Sequence, residues 1–122
     1  MYVLICEATG SAADTFAAIM KNGNHAILVG QNTAGEGLGD TSCVIRLPNS
    51  GILISFMGSY GINKDGMSNS KYGTAPDYYV TPNIYDYKKG INIESGLKTI
   101  NEMLKYDTQL KFIVNKLISE DL

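Results

Sequence analysis

The sequence has few of the residues that usually build metal or redox sites, with one histidine and two cysteines among 122 residues. It also has no tryptophan. A single histidine and no cluster of ligands predict neither a bound metal nor another cofactor. Cys6 and Cys43 lack the spacing of a redox or zinc motif. We predict that they are small buried hydrophobic residues in strands, and a disulfide between them stays open.

The chain also lacks an excess of charge of one sign. Its net charge is -2, its pI is near 5.2, and lysines alternate with acidic residues instead of forming blocks. This pattern gives no basis for binding nucleic acid or an anionic membrane. No apolar run approaches the roughly 20 residues that a membrane span needs. With 44% hydrophobic and 18% charged residues, we expect one packed domain over residues 1–122.

A signal-like beginning is missing as well. Met1 is followed at once by Tyr-Val-Leu-Ile-Cys, with no positively charged region before it. A chain that opens directly on a core-type strand is typical of a fragment. We therefore expect the C-terminal part of a larger protein.

The hydrophobic pattern predicts an α/β fold. An apolar run over 2–7 is typical of a strand covered on both faces, a helix is predicted from Ser11 to about Asn22, and a second strand over 26–30 completes a right-handed β-α-β unit. The predicted inner face of the helix is Ala13, Phe16, Ala17 and Met20. The later predictions are strands at 42–47 and 51–56 around a turn, a polar loop at 58–75, a short strand at 77–80, and helices at about 92–105 and 107–119.

The first candidate site is Gly10-Ser11-Ala12-Ala13-Asp14. A serine that follows a glycine turn and starts a helix places its hydroxyl at the positive end of the helix dipole, beside free backbone N–H groups that stabilise an oxyanion. These are the requirements of a serine nucleophile. The alternative is that Ser11 is only the N-cap, with Asp14 completing a capping box.

A second candidate, Gly30 to Gly37, follows a strand and has nearly the spacing of a phosphate-binding loop. Glu36 stands where that loop needs lysine, and Gly37 stands where it needs a hydroxyl. A carboxylate at this position repels a nucleotide, which excludes an NTPase.

Together, residues 7–18 and 26–37 resemble the core of the C-terminal processing (tail-specific) serine peptidases. Leu47-Pro48-Asn49-Ser50-Gly51 and Gly73-Thr74-Ala75-Pro76-Asp77 match later landmarks of that family, so the resemblance covers about residues 2–80. It implies a crotonase-like β-β-α spiral core with two C-terminal helices over about 92–119. It also implies serine-type hydrolysis of a peptide or unfolded protein, and favours an extracytoplasmic or cell-envelope parent.

Carried over residue by residue, the resemblance places Ser11 on the nucleophile and Ala12 on an oxyanion-hole N–H. Glu36 falls on the general-base lysine. A carboxylate is a far weaker base than a neutral lysine. The resemblance therefore implies that Glu36 orients a base or a water molecule instead of taking the serine proton. The substrate-binding residues are not indicated.

A second branch of the family uses serine, histidine and glutamate. Its glutamate position is occupied here by Ser70, or by its neighbours Asn69 and Lys71, and its histidine would lie before Met1. We expect His25 to be a surface residue without a catalytic role, and Lys71 is a weak candidate for a substitute base. The chain alone is therefore predicted to have weak or no activity.

The sequence is compatible with two other functions. One is a non-catalytic relative that binds peptides in the same cleft. The other is a crotonase-fold acyl-thioester enzyme, for which the sequence has no coenzyme A signature. A homo-oligomer, or packing on upstream segments, is compatible with the apolar stripes of the last two predicted helices.

Overall fold

The computed structural model describes residues 1–39, 42–91 and 99–120. Strands and helices alternate in the first third of the chain, and helices dominate the last third, so the fold is α/β. In chain order the elements are β1 (Tyr2–Ile5), α1 (Ala12–Asn22), β2 (Ile27–Gly30), β3 (Ser42–Arg46), β4 (Leu53–Met57), α2 (Asn69–Tyr72), β5 (Tyr78–Tyr79), α3 (Ile84–Ile91), α4 (Ile100–Tyr106) and α5 (Thr108–Glu120).

The centre of the molecule is a parallel sheet in the order β1-β2-β5. Val3 lies opposite Leu28 in β1 and β2, and Val29 lies opposite Tyr78 in β2 and β5. Leu28 and Val29 are fully buried, as expected of a strand that is covered on both faces. The predicted β-α-β unit and the short strand near residue 78 are both confirmed.

Helix α1 packs on this sheet through a face that differs from the predicted one. Its buried residues are Asp14, Ala17 and Ala18, whereas Phe16 is 52% exposed. Of the four predicted residues, Ala17 is buried and Met20 is half-buried, whereas Ala13 and Phe16 are exposed, so the predicted face is wrong in part. Alanines allow the helix to approach the sheet closely, and Asp14 is buried because other segments donate hydrogen bonds to it.

Helix α5 packs against the end of the sheet at which β1 and β5 finish. The side-chain amide of Gln109 is buried and donates to the carbonyl oxygens of Ile5 (3.2 Å) and Val80 (3.4 Å). The rings of Tyr78 and Phe112 are 5.5 Å apart between centroids. The predicted final helix is thus confirmed, and it is fastened to the last residue of β1.

The other helical predictions are met in part. The predicted helix at 92–105 overlaps α4 at its end, while residues 92–98 lie outside the described residues. Helix α3 was not predicted, and the predicted loop at 58–75 contains the short helix α2. No described helix has the length and apolar character required to span a membrane.

Strands β3 and β4 form an antiparallel hairpin of their own, with Cys43 opposite Phe56 and Ile45 opposite Ile54. The two predicted strands are therefore confirmed, but they do not join the parallel sheet. Apolar side chains remain exposed on both faces of this hairpin. Cys43 and Cys6 are partly buried free thiols, so the disulfide considered from the sequence is not formed.

Candidate active site

Ser11 occupies a strained turn between β1 and α1. Its backbone angles are φ 53° and ψ -128°, and its side chain makes no capping hydrogen bond. A positive φ is unfavourable for a residue with a side chain and is characteristic of functional turns. Ser11 is exposed. Ser11 stands at the N-cap position of α1, but its hydroxyl does not cap the helix, so the alternative that it serves only as a capping residue is wrong.

The turn is held against the loop that follows β2. The Ser11 N–H donates to the carbonyl oxygen of Gly35 at 3.2 Å, and the Ala34 N–H donates to Thr9 at 2.7 Å. Gly10 and Gly35 form a parallel bridge. Within the turn itself, the Cys6 N–H donates to the Thr9 hydroxyl at 3.1 Å. The nucleophile candidate and the segment before Glu36 therefore lie side by side.

Ala12 supplies a free amide at the start of α1. The Ala13 N–H donates to Gly10 at 3.2 Å and the Thr15 N–H donates to Ser11 at 2.9 Å, whereas the Ala12 N–H has no hydrogen-bond partner among the described residues. The amide adjoins the positive end of the helix dipole. Such a group can donate to an oxygen that gains negative charge beside this turn.

Asp14 is a buried acceptor instead of a capping residue. It is 0% exposed. Its carboxylate accepts hydrogen bonds from the hydroxyls of Thr33 and Thr74, the latter at 2.8 Å, and from the Gly37 N–H at 3.0 Å. The predicted capping box is wrong, because donors from two other loops satisfy this carboxylate. Asp14 thus ties α1 to both loops.

Asn69 completes this buried network. Its side-chain oxygen accepts from the Gly37 N–H (3.1 Å) and the Leu38 N–H (3.0 Å), and its amide nitrogen donates to Thr74 (3.1 Å). The sequence marks Asn69 only as a neighbour of the position that holds glutamate in one branch of the family. Its buried role was missed, because a polar loop does not reveal which amide turns inward.

Glu36 lies between Gly35 and Gly37 with φ 65°. Its side chain is exposed and has no hydrogen bond or ion pair with any described residue. The structure thus brings Glu36 beside Ser11 through the backbone, but it does not join the two side chains. An exposed carboxylate of this kind can orient a water molecule or a charged group that enters the site.

The other candidate residues make no described hydrogen bond to the Ser11 hydroxyl. His25 is exposed and follows the far end of α1, a helix about 16 Å long. The Lys71 ammonium lies 4.9 Å from the centroid of the Tyr72 ring, and the Ser70 hydroxyl is buried without a hydrogen-bond partner. In the described part of the chain, no group of three or more His, Cys, Asp or Glu side chains could hold a metal ion.

Comparison with known proteins gives one family and several solved structures. The model of peptidase family S41 matches residues 1–80. The chain is similar to mature CPAF, at 32% identity and a TM-score of 0.50 over 64% of this chain and 15% of that chain. It is also similar to the photosystem II D1 C-terminal processing protease, at 26% identity and a TM-score of 0.52 over 64% of this chain and 19% of that one.

A putative peptidase from Parabacteroides merdae shares the fold more completely, with a TM-score of 0.62 over 95% of this chain and 31% of that chain. At 20% identity, this likeness concerns the fold alone. The chain thus spans between 15% and 31% of the length of these three structures. Among curated proteins there is no significant match.

Proposed function

This chain belongs to peptidase family S41, and from that premise we propose that it takes part in serine-type hydrolysis of peptide bonds with Ser11 as the nucleophile. The family predicted from the sequence is thereby confirmed. The observation that supports Ser11 most directly is its exposed hydroxyl on a turn with φ 53° and no capping bond. A hydroxyl in such a turn is free to meet a substrate.

In the proposed reaction, the Ser11 oxygen attacks the scissile carbonyl carbon and gives up its proton to a base. The carbonyl oxygen becomes an oxyanion, which accepts a hydrogen bond from the free Ala12 N–H. Collapse of this intermediate breaks the carbon–nitrogen bond, and the leaving amine takes a proton. A water molecule then cleaves the resulting acyl ester and regenerates Ser11.

Glu36 has an orienting role in this proposal. It occupies the position that the family resemblance assigns to a general-base lysine, and its carboxylate is exposed beside the turn that carries Ser11. A carboxylate is too weak a base to replace a neutral lysine. We therefore expect Glu36 to align a water molecule or an external base, and Ser11 to react slowly in this chain.

The finer features of the family belong to the same proposal. The parallel sheet, the separate hairpin and helix α1 are compatible with a crotonase-like β-β-α spiral. The peptidase core would cover about residues 2–80, with a helical tail over about 92–119, as the C-terminal part of a larger peptidase. The substrate class is a peptide or unfolded polypeptide.

A non-catalytic peptide-binding relative is the second candidate. The observation in its favour is that Glu36 replaces the expected lysine and that, among the described residues, no base contacts the Ser11 hydroxyl. Ser11→Ala distinguishes the two functions. A peptide-binding protein keeps its affinity for peptides after this substitution, whereas a peptidase loses hydrolysis.

The nucleophile is tested by prolonged incubation with a fluorophosphonate, followed by intact-mass analysis and peptide mapping. We expect one slow adduct on Ser11, absent in Ser11→Ala and unchanged in Ser59→Ala, which removes another exposed hydroxyl. No adduct, or labelling spread evenly over surface serines, would rule out Ser11 as an activated nucleophile. Peptide binding without any adduct would favour the second candidate.

A further inference from the structure

We infer that Asn69 is a positioning residue for this site: it fixes the backbone that presents Glu36 beside Ser11. This inference rests on the proposed function. Asn69 contacts neither Ser11 nor the Glu36 side chain through any described hydrogen bond. It acts through the amides that follow Glu36 in the chain.

The hydrogen bonds of Asn69 suit an amide side chain and no other. The side chain is fully buried. Its oxygen accepts from the N–H groups of Gly37 and Leu38 at 3.1 and 3.0 Å, while its nitrogen donates to the Thr74 hydroxyl at 3.1 Å. Aspartate can accept both bonds but cannot donate the third when ionised, and leucine makes none of the three, which leaves the Leu38 N–H without its acceptor.

The neighbours of Glu36 on both sides, Gly35 and Gly37, are held in place, and we call this arrangement the clamp. The Gly37 N–H is shared between Asn69, on α2, and Asp14, on α1, at 3.1 and 3.0 Å. On the other side of Glu36, an added Cβ on Gly35 would lie 2.6 Å from the Asn69 carbonyl oxygen, so the α2 backbone also packs against this residue.

The Glu36 side chain has no hydrogen bond or ion pair with the described residues that could hold it in place, and its φ of 65° is unfavourable for a residue with a side chain. Its orientation therefore depends on the clamped neighbours. Because the Gly35 carbonyl accepts the Ser11 N–H, a shift of this segment also disturbs the turn that presents the nucleophile.

The test is a double-mutant cycle on the rate of fluorophosphonate labelling at Ser11. We expect Asn69→Leu to slow labelling about tenfold when Glu36 is present, and by less than about twofold in a Glu36→Gln background. Asn63→Leu is the matched control. Asn63 is also a buried asparagine, but it donates to Gly73 at 2.9 Å and makes no described hydrogen bond to the Gly37 or Leu38 amide. It should lower stability and leave the labelling rate unchanged.

A second measurement does not depend on the chemistry. Backbone ¹⁵N order parameters at Glu36 should fall from about 0.85 to below about 0.6 in Asn69→Leu, and stay high in Asn63→Leu. Should Asn69→Leu fail to fold, Asn69→Asp serves instead, since it keeps both acceptor bonds and should retain order at Glu36 while losing stability.

The two proposals fail in different ways. Absence of any Ser11 adduct in the wild-type chain contradicts the proposed function, and the order parameters still decide whether Asn69 positions Glu36. Equal slowing by Asn69→Leu with and without the Glu36→Gln substitution, or unchanged order at Glu36, overturns the role of Asn69 itself.

Discussion

The backbone N–H of Ser11 donates to the carbonyl oxygen of Gly35 across 3.2 Å. This hydrogen bond joins the first turn of α1 to the loop after β2, and both segments carry candidate catalytic residues. The local geometry of the site therefore depends on how closely these two backbones approach.

Gly35→Ala should lower the free energy of unfolding by about 3 kcal/mol. Gly35 has φ 87°, and an added Cβ would lie 2.6 Å from the Asn69 carbonyl oxygen. Gly66→Ala is the control, because Gly66 has φ 81° with no atom within 4 Å of its added Cβ, and should cost about 1 kcal/mol. Urea denaturation measures both. Equal losses would show that the packing of α2 against Gly35 is unimportant.

Asp14→Ala should destabilise the chain by about 3 kcal/mol, because it removes the buried acceptor of two hydroxyls and one of the two acceptors of the Gly37 N–H. Asp65→Ala is suited as a comparison: its carboxylate is exposed and accepts one bond, from the Met67 N–H at 2.9 Å. That change should cost less than about 1 kcal/mol. Thermal unfolding followed by circular dichroism checks the difference, and similar melting temperatures would contradict the buried network.

Gln109→Leu should cost about 2 kcal/mol, because the carbonyl oxygens of Ile5 and Val80 lose a shared donor. Hydrogen exchange at β1 should accelerate in this variant, since α5 is no longer fastened to the end of that strand. Asn115→Ala, an exposed position on the same helix, should leave exchange unchanged. Faster exchange throughout the chain, without any preference for β1, would argue against a local role for Gln109.

Ala12→Pro tests the proposed oxyanion donor. Proline removes the N–H at the first position of α1, where helices tolerate it well. We expect Ser11 labelling by a fluorophosphonate to fall about a hundredfold, while the far-ultraviolet circular dichroism stays that of the folded chain. A folded variant that labels at the wild-type rate would exclude the Ala12 amide from the oxyanion site.

Much of the first half of the fold was predictable, because periodicity and turn residues agree there. The apolar runs at β1 and β2, the glycine turn before α1 and the Asn-Ser-Gly turn of the hairpin each act locally. The family was predictable from the order of its motifs. These signals do not depend on contacts between distant segments.

The buried side of α1 was not predictable in this way. Phe16 is exposed and Asp14 is buried, the reverse of what hydrophobicity suggests. The reason is that Thr33 and Thr74 approach from loops that are distant in sequence, and together with the Gly37 amide they satisfy the carboxylate. The same holds for Asn69, which accepts from Gly37 and Leu38 in the loop after β2. Helix and strand propensities depend on a residue and its neighbours in sequence. They do not indicate which hydrogen-bond donors from distant segments will reach it in the folded chain.

The hairpin of β3 and β4 has a practical consequence for anyone handling this chain. Val44 and Leu53 are 60% and 66% exposed, and Arg46 is the sole charged residue between Ser42 and Met57. An apolar ribbon with so little charge is poorly protected against pairing with further strands. Concentrated solutions should therefore tend to form β-rich aggregates, and a lysine at either exposed position should delay them.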